Sequence, residues 1–173
     1  IVCFLFFLIY AVVGVNYMKG ALYACMGEEW DALSEPQQNL ITDPVKWSSL
    51  NDHQKNWFTN SSYFVSSDCM ASDGSLSWHE DFDRRPTSKQ LCRCILGDGS
   101  WQNTQNQNFD NSLNALFGLF EIATTEGWID LMYAAMDARG IDMQPEKNSN
   151  VLFPIVYFIS FMLVGCFFAM ELF

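Results

Sequence analysis

The sequence predicts an all-α membrane protein in which two transmembrane helices flank a re-entrant helix–turn–helix hairpin, with a long disulfide-stapled extracellular loop after the first helix. Three observations predict this architecture. Residues 1–18 (IVCFLFFLIYAVVGVNYM) and 151–170 (VLFPIVYFISFMLVGCFFAM) carry no charged side chain, and about 20 apolar residues at about 1.5 Å rise cover the roughly 30 Å hydrocarbon core of a bilayer. Residues 109–140 place apolar side chains at helical spacing in two runs, each too short to cross, separated by a polar turn. Four of the six cysteines fall in the polar stretch between.

Residues 1–18 have no initiator Met, basic leader or small-residue cleavage site, so they read as a transmembrane helix entered part-way along and not as a signal peptide. The helix is expected to end where Asn16, Tyr17, Lys19 and Gly20 bring the polar, aromatic and basic character of a membrane interface. Residues 19–108 then form the extracellular loop. Cys25, Cys69, Cys92 and Cys94 are an even set suited to an oxidising compartment, and Asn60-Ser61-Ser62 is a glycosylation sequon on Asn60. Both place this region outside the cell or in a lumen. Cys92 and Cys94 are too close in sequence to be joined without strain, so each is expected to pair with Cys25 or Cys69, in either arrangement. Trp30, Trp47, Trp57, Trp78 and Trp101, with Phe58, Tyr63, Phe64 and Phe82, supply apolar surface to bury, which argues against a disordered linker. Residues 97–108 (GDGSWQNTQNQN) read as its most linker-like part.

Phe109, Leu113, Leu116, Phe117 and Phe120 fall at i, i+4, i+7, i+8 and i+11, predicting the apolar face of a helix that runs to about Ala123, N-capped by Asp110 or Ser112. Asn114 and Glu121 interrupt it, so it is expected to be re-entrant or interfacial. Ile129, Met132, Tyr133 and Met136 predict a second short helix, stopped by Arg139 in its last turn and Gly140 beyond. Thr124-Thr125-Glu126-Gly127-Trp128 is the turn between them. Residues 141–150 (IDMQPEKNSN) form a polar connector, and Pro154 sits in the first turn of the last helix, 151–173, where a missing N–H costs little. Because Glu171-Leu172-Phe173 stops inside an apolar pattern without a cap or basic flank, the sequence is expected to be a piece of a longer chain.

The charge is strongly acidic. Residues 19–108 hold 12 acids and 7 bases, and residues 109–150 hold 7 acids and 2 bases, toward a net charge of −11. Nucleic acid is excluded as a partner, because binding it needs Lys and Arg to displace counterions; cations suit such a surface. In the turn, the C-terminus of the first half-helix behaves as about half a negative charge. Thr124 and Thr125 offer hard oxygen ligands, and Glu126 adds a full carboxylate, a set suited to Ca²⁺ and less tightly to Na⁺. Asp130, one helical turn on, is placed at the outer mouth, whereas Glu121 and Asp137 read as structural. One hairpin makes no ring, so three similar elements must complete it. Asp73-Gly74 and Glu80 match half an EF-hand loop, but its first and third ligand positions fall on Cys69 and Ala71. His53 and His79 read as solvated surface residues. With no nucleophile elbow, phosphate loop or zinc-ligand spacing, the chain is expected not to be an enzyme and to hold no cofactor beyond a permeant cation.

Phe120 to Pro145 (FEIATTEGWIDLMYAAMDARGIDMQP), together with Gly14-Val15-Asn16-Tyr17-Met18, Phe109-Asp110-Asn111 and Phe167-Phe168-Ala169-Met170-Glu171-Leu172-Phe173, resembles the four-repeat voltage-gated sodium and calcium channels, in particular the third repeat of sodium channels. The resemblance covers about half of the chain. It implies an outer pore helix at residues 1–18, two pore helices around a selectivity filter of Thr124, Thr125, Glu126, Gly127 and Trp128, and an inner helix from about Val151. It also implies that Glu126 faces the ion path and that Trp128 anchors the filter. Third repeats of animal sodium channels typically carry Lys where this chain has Glu126, and an ammonium there repels divalent ions; this quarter is calcium-channel-like. Glu171 stands where the family usually has Asn.

The sequence therefore predicts one pore module of a voltage-gated channel for Ca²⁺ and/or Na⁺ in the plasma membrane. Its expected partners are three other pore repeats of the same chain, voltage-sensor segments, the lipid bilayer and auxiliary subunits. The alternatives are a sodium-permeable or poorly selective cation channel, and a two-span receptor or adhesion protein whose ectodomain is the functional part.

Overall fold

The structure, a computed structural model, describes residues 2–43, 49, 51 and 87–172, apart from the side chains of Pro36, Asp98 and residues 166–172. Cys69, the Asn60 sequon, His53, His79, the aromatic residues between 47 and 82, and the side chain of Glu171 lie outside the described residues. In chain order the elements are α1 (Val2–Met18), β1 (Tyr23–Cys25), α2 (Glu28–Asp31), α3 (Glu35–Thr42), α4 (Ser88–Leu96), a 3-10 turn (Asp98–Ser100), β2 (Trp101–Asn103), α5 (Ser112–Ala123), α6 (Trp128–Asp137) and α7 (Leu152–Leu172). They fall into two compact units. One comprises Ile1–Leu22, Asn103–Ile141 and Pro145–Phe173; the other comprises Tyr23–Gln102 and Asp142–Gln144.

Among the described residues, the first unit holds the four longest helices. α1 has 17 residues and spans about 25 Å at about 1.5 Å per residue; the described side chains of α7 stop at Gly165. Among the described residues no helix is long and apolar enough to cross a membrane. α5 packs most extensively against α1, and the core gathers Ala11, Met18 and Leu22 with Phe109, Leu119, Ile122, Leu131, Tyr157, Phe158 and Phe161. Gly14 makes this packing possible, because a Cβ there would stand 2.6 Å from Cδ1 of the buried Phe109 ring.

The hairpin corrects two readings of the sequence. Asp110 and Ser112 do not cap α5: Asn111 does, its side chain accepting from the Asn114 N–H at 2.8 Å. Asp110 instead accepts from the Gly20 N–H at 2.9 Å, bracing the left-handed Gly20 that turns the chain out of α1. Leu113, Phe117 and Phe120, on the apolar face read from the spacing, are 67%, 72% and 67% exposed. α5 buries Ala115, Gly118, Leu119 and Ile122, since two small residues let it approach its neighbours closely and the large side chains are turned outward. Arg139 does not belong to the last turn of α6, which ends at Asp137. The connector folds back onto that end, with Glu146 N–H donating to the Asp137 carbonyl and Asn150 N–H to that of Met136, and Arg139 pairs with Glu146 at 3.3 Å.

The second unit is the disulfide-stapled region. Residues 97–108 are not a plain linker, for the 3-10 turn and β2 lie in them, β2 pairs with β1, and Trp101 is buried against Leu91, Cys92, Ile95 and Ile41. In β2 the side chains alternate, Trp101 facing the apolar cluster and Gln102 facing out. Thr87 and Gln90 cap α4 reciprocally, Thr87 N–H donating to Gln90 Oε1 at 2.9 Å and Gln90 N–H to Thr87 Oγ1 at 3.3 Å. Cys25 is joined to Cys92, with S–S 2.02 Å, and Cys94 is also disulfide-bonded. Three connector residues, Asp142 to Gln144, belong to this unit. Lys89 holds Asp142 at 2.9 Å, and the buried Gln144 accepts from the Cys25 N–H at 2.8 Å while donating to the Cys25 carbonyl at 3.4 Å. The Cys25–Cys92 bridge closes a sequence separation of 67 residues, which restricts the unfolded chain by about 4 kcal/mol. Cys92→Ser in the full-length chain is expected to leave this unit open to limited proteolysis and to lower the yield of folded chain; unchanged protease resistance would refute that.

Candidate functional site

The turn between α5 and α6 is built by the ends of both helices. Thr124 closes α5, its N–H donating to the Glu121 carbonyl at 3.0 Å and its Oγ1 to the same oxygen at 2.6 Å. The Thr125 N–H donates to the Ile122 carbonyl at 2.8 Å. Those two helix carbonyls are thereby satisfied, which leaves the Thr124 and Thr125 hydroxyl lone pairs and the carbonyls of the turn itself as the oxygen ligands on offer.

Thr125 then takes φ +68 and Gly127 φ +65. A left-handed conformation suits glycine, but for a β-branched residue it costs about 1–3 kcal/mol. The three hydrogen bonds on its N-terminal side, with the Leu131 N–H donating to the Gly127 carbonyl at 3.2 Å on the other, hold the strained turn in place. The reversal of direction leaves Glu126 exposed, one residue before the left-handed N-cap Gly127 of α6. Its carboxylate therefore stands beside the positive end of α6 as well as the negative end of α5.

Trp128, the first residue of α6, is half-buried and packs against the core of its own unit, fastening the turn to the helices beneath. The structure thus brings Thr124, Thr125, Glu126, Gly127 and Trp128 together in one turn, with Thr124 to Gly127 exposed. Asp130 is exposed in the first turn of α6, where it lines a cavity of about 520 Å³ together with Tyr133, Asp137, Thr104 and Gln105. Asp137, read as structural, has both characters: it lines this cavity, and its Oδ1 accepts from the Asn148 N–H at 2.8 Å. The cavity could not be found from spacing within α6 alone, because Leu22 and Thr104, which form its far wall, are distant in sequence; the Thr104 N–H donates to the Leu22 carbonyl at 2.9 Å. Among the described residues no three His, Cys, Asp or Glu side chains converge on one point. A single carboxylate on a strained, solvent-facing turn can attract a hydrated cation and exchange part of its water, but does not chelate it.

A family model described as ion transport protein matches residues 1–173. Among curated relatives, the chain is 29% identical over 173 residues to mouse sodium channel protein type 11 subunit alpha, covering 100% of this chain and 7% of the relative. It is likewise 29% identical over 173 residues to rat voltage-dependent T-type calcium channel subunit alpha-1G, covering 100% of this chain and 5% of the relative. Human sodium channel protein type 11 subunit alpha is 44% identical over 81 residues, which is 47% of this chain and 4% of the relative. The chain therefore corresponds to a small part of the length of each relative. Ion transport, and no catalysed reaction, is what this family and these relatives are named for, and the expectation that the chain is not an enzyme stands on that ground.

Proposed function

Because the chain belongs to the ion transport protein family, we propose that it is one pore module of a voltage-gated cation channel, with α5, the Thr124–Trp128 turn and α6 as its filter hairpin. The observation that carries this reading is the strained turn between two short helices, which leaves Glu126 exposed between helix ends of opposite polarity. Cations drawn to the acidic mouth would exchange water for the Glu126 carboxylate and for oxygens of Thr124 and Thr125, then move on by mutual repulsion. The exposed apolar stripe of Leu113, Phe117 and Phe120 on α5 is the surface offered to the other three repeats that complete the ring. α1 is the outer helix that faces lipid in the plasma membrane, for it carries exposed Val2, Phe4, Leu5, Ile9, Val12 and Val13, and α7 is the inner helix that lines the ion path. A Glu at the filter favours Ca²⁺ permeation over strict Na⁺ selectivity. Kinship with both sodium and calcium channels keeps the sodium-permeable reading as the second one.

The test is the reversal potential of the full-length chain with Ca²⁺ outside and Na⁺ inside. A positive value is expected. Conduction of Na⁺ alone would transfer the selectivity to the other repeats, and absence of any cation current would favour a receptor or adhesion role for the disulfide-bonded region.

A further inference from the structure

Two tyrosines and a serine face each other where α1 meets α7, among side chains that are otherwise aromatic or aliphatic. Tyr10 O–H donates to Ser160 Oγ at 2.9 Å, and Ser160 Oγ donates in turn to the Tyr157 carbonyl at 3.0 Å. In the opposite direction, Tyr157 O–H donates to the Tyr10 carbonyl at 2.7 Å. Each helix therefore gives a hydroxyl to the other, and Ser160 passes the Tyr10 bond on to the Tyr157 carbonyl, so that those two bonds polarise each other, while the Tyr157 bond to the Tyr10 carbonyl stands beside them. Tyr157 is buried. Its hydroxyl reaches the α1 backbone because position 14 is glycine: a Cβ there would stand 2.5 Å from the Tyr157 oxygen. Around the polar group, Phe161 packs on Tyr10, Phe6 and Phe7, with ring centroids 5.3, 5.7 and 5.4 Å apart respectively.

Aromatic pairs are favourable over ring-centroid separations of roughly 4.5–7 Å, so aromatic packing alone tolerates small axial slips. Hydrogen bonds weaken steeply with distance and angle, so the two between the helices select one register of α7 along α1. Phenylalanine at position 10 or 157 would fill nearly the same volume without this directional restraint.

We propose that Tyr10, Ser160 and Tyr157 form a reciprocal clasp that positions α7 in one register against α1 and sets how readily α7 shifts when the channel changes state. The clasp rests on the pore-module reading above, in which α7 lines the ion path and must move for the path to open or close. Its residues position the helix and do not touch the ion.

The experiment measures steady-state conductance against voltage for the full-length chain, comparing wild type with Tyr10→Phe, Ser160→Ala, the Tyr10→Phe/Ser160→Ala double variant and Tyr157→Phe. Hydrogen bonds between membrane helices are worth enough to change an equilibrium about threefold. Tyr10→Phe and Ser160→Ala are each expected to change the open-to-closed ratio at a fixed voltage by about threefold in the same direction. The double variant is expected to match either single one, because both remove the same bond between the helices. Tyr157→Phe, which removes the return bond, is expected to shift the ratio in that same direction. Unshifted curves, or a double variant equal to the product of the singles, would overturn the clasp. So would a smaller current with an unshifted curve, which is what a purely structural role produces. A wild-type chain without cation current would overturn the pore-module reading and the clasp's role with it, whereas a conducting wild type with unshifted variants would overturn the clasp alone.

Discussion

Glu126→Lys in the full-length chain is expected to lower Ca²⁺ permeability relative to Na⁺ by about tenfold and to move the reversal potential, measured with Ca²⁺ outside and Na⁺ inside, sharply negative. Replacing a carboxylate by an ammonium changes the local charge by two units. For an ion about 5 Å away, even with the dielectric constant of water, the penalty to a divalent ion is twice that to a monovalent one, which yields roughly this ratio. The exposure of Glu126 is why the water value is the appropriate one. Nothing else in the turn can absorb the change, because Asp130 is one helical turn away and lines a different surface. Glu126→Gln, which removes one charge unit, is expected to give an intermediate value. A Glu126→Lys chain with unaltered reversal potential would mean that this carboxylate does not face the ion path.

Gly14→Ala is expected to be the most damaging single-methyl change in the first unit. The added Cβ would meet the Tyr157 oxygen at 2.5 Å and two atoms of the Phe109 ring at 2.6 and 2.7 Å. Both neighbours are buried, so neither can swing away into solvent, and overpacking of this kind costs about 1–3 kcal/mol. The measurement is the amount of full-length chain at the cell surface and the thermal stability of the detergent-purified chain, both of which should fall. Gly99→Ala is the control, since a Cβ there meets nothing within 4 Å. Gly14→Ala combined with Phe109→Leu should recover part of the loss, because the smaller side chain vacates the space the methyl requires. Wild-type stability in Gly14→Ala would refute the close approach at this position.

Some of this was legible in the amino-acid order. The end of α1, the existence of α5 and α6 and the turn between them follow from uncharged stretches, helical spacing and a polar interruption, all of which are local. The strain at Thr125 was not, because a threonine in the left-handed region is held there by hydrogen bonds to the preceding helix and not by its own preference. Which face of α5 is buried was not legible either, for a related reason. Leu113, Phe117 and Phe120 form the stronger apolar stripe by residue size, yet Ala115 and Gly118 are buried. Periodicity reports that a helix is amphipathic; it does not say whether a stripe meets its own unit or is left for another.

What the sequence determined by itself is the order of elements, the place of the polar turn with Glu126 and the acidic surroundings that favour cations, because each depends on neighbouring residues and their charges. What only the tertiary structure decided is which partners those elements choose: the Cys25–Cys92 bridge between two open arrangements, the bracing of Gly20 by Asp110, the wall of the cavity beside Asp130 and the two-way bonding of Tyr10 with Tyr157 and Ser160. These contacts join residues far apart in the chain, and only a packed fold places their atoms within the 3 Å or so at which a hydrogen bond acts.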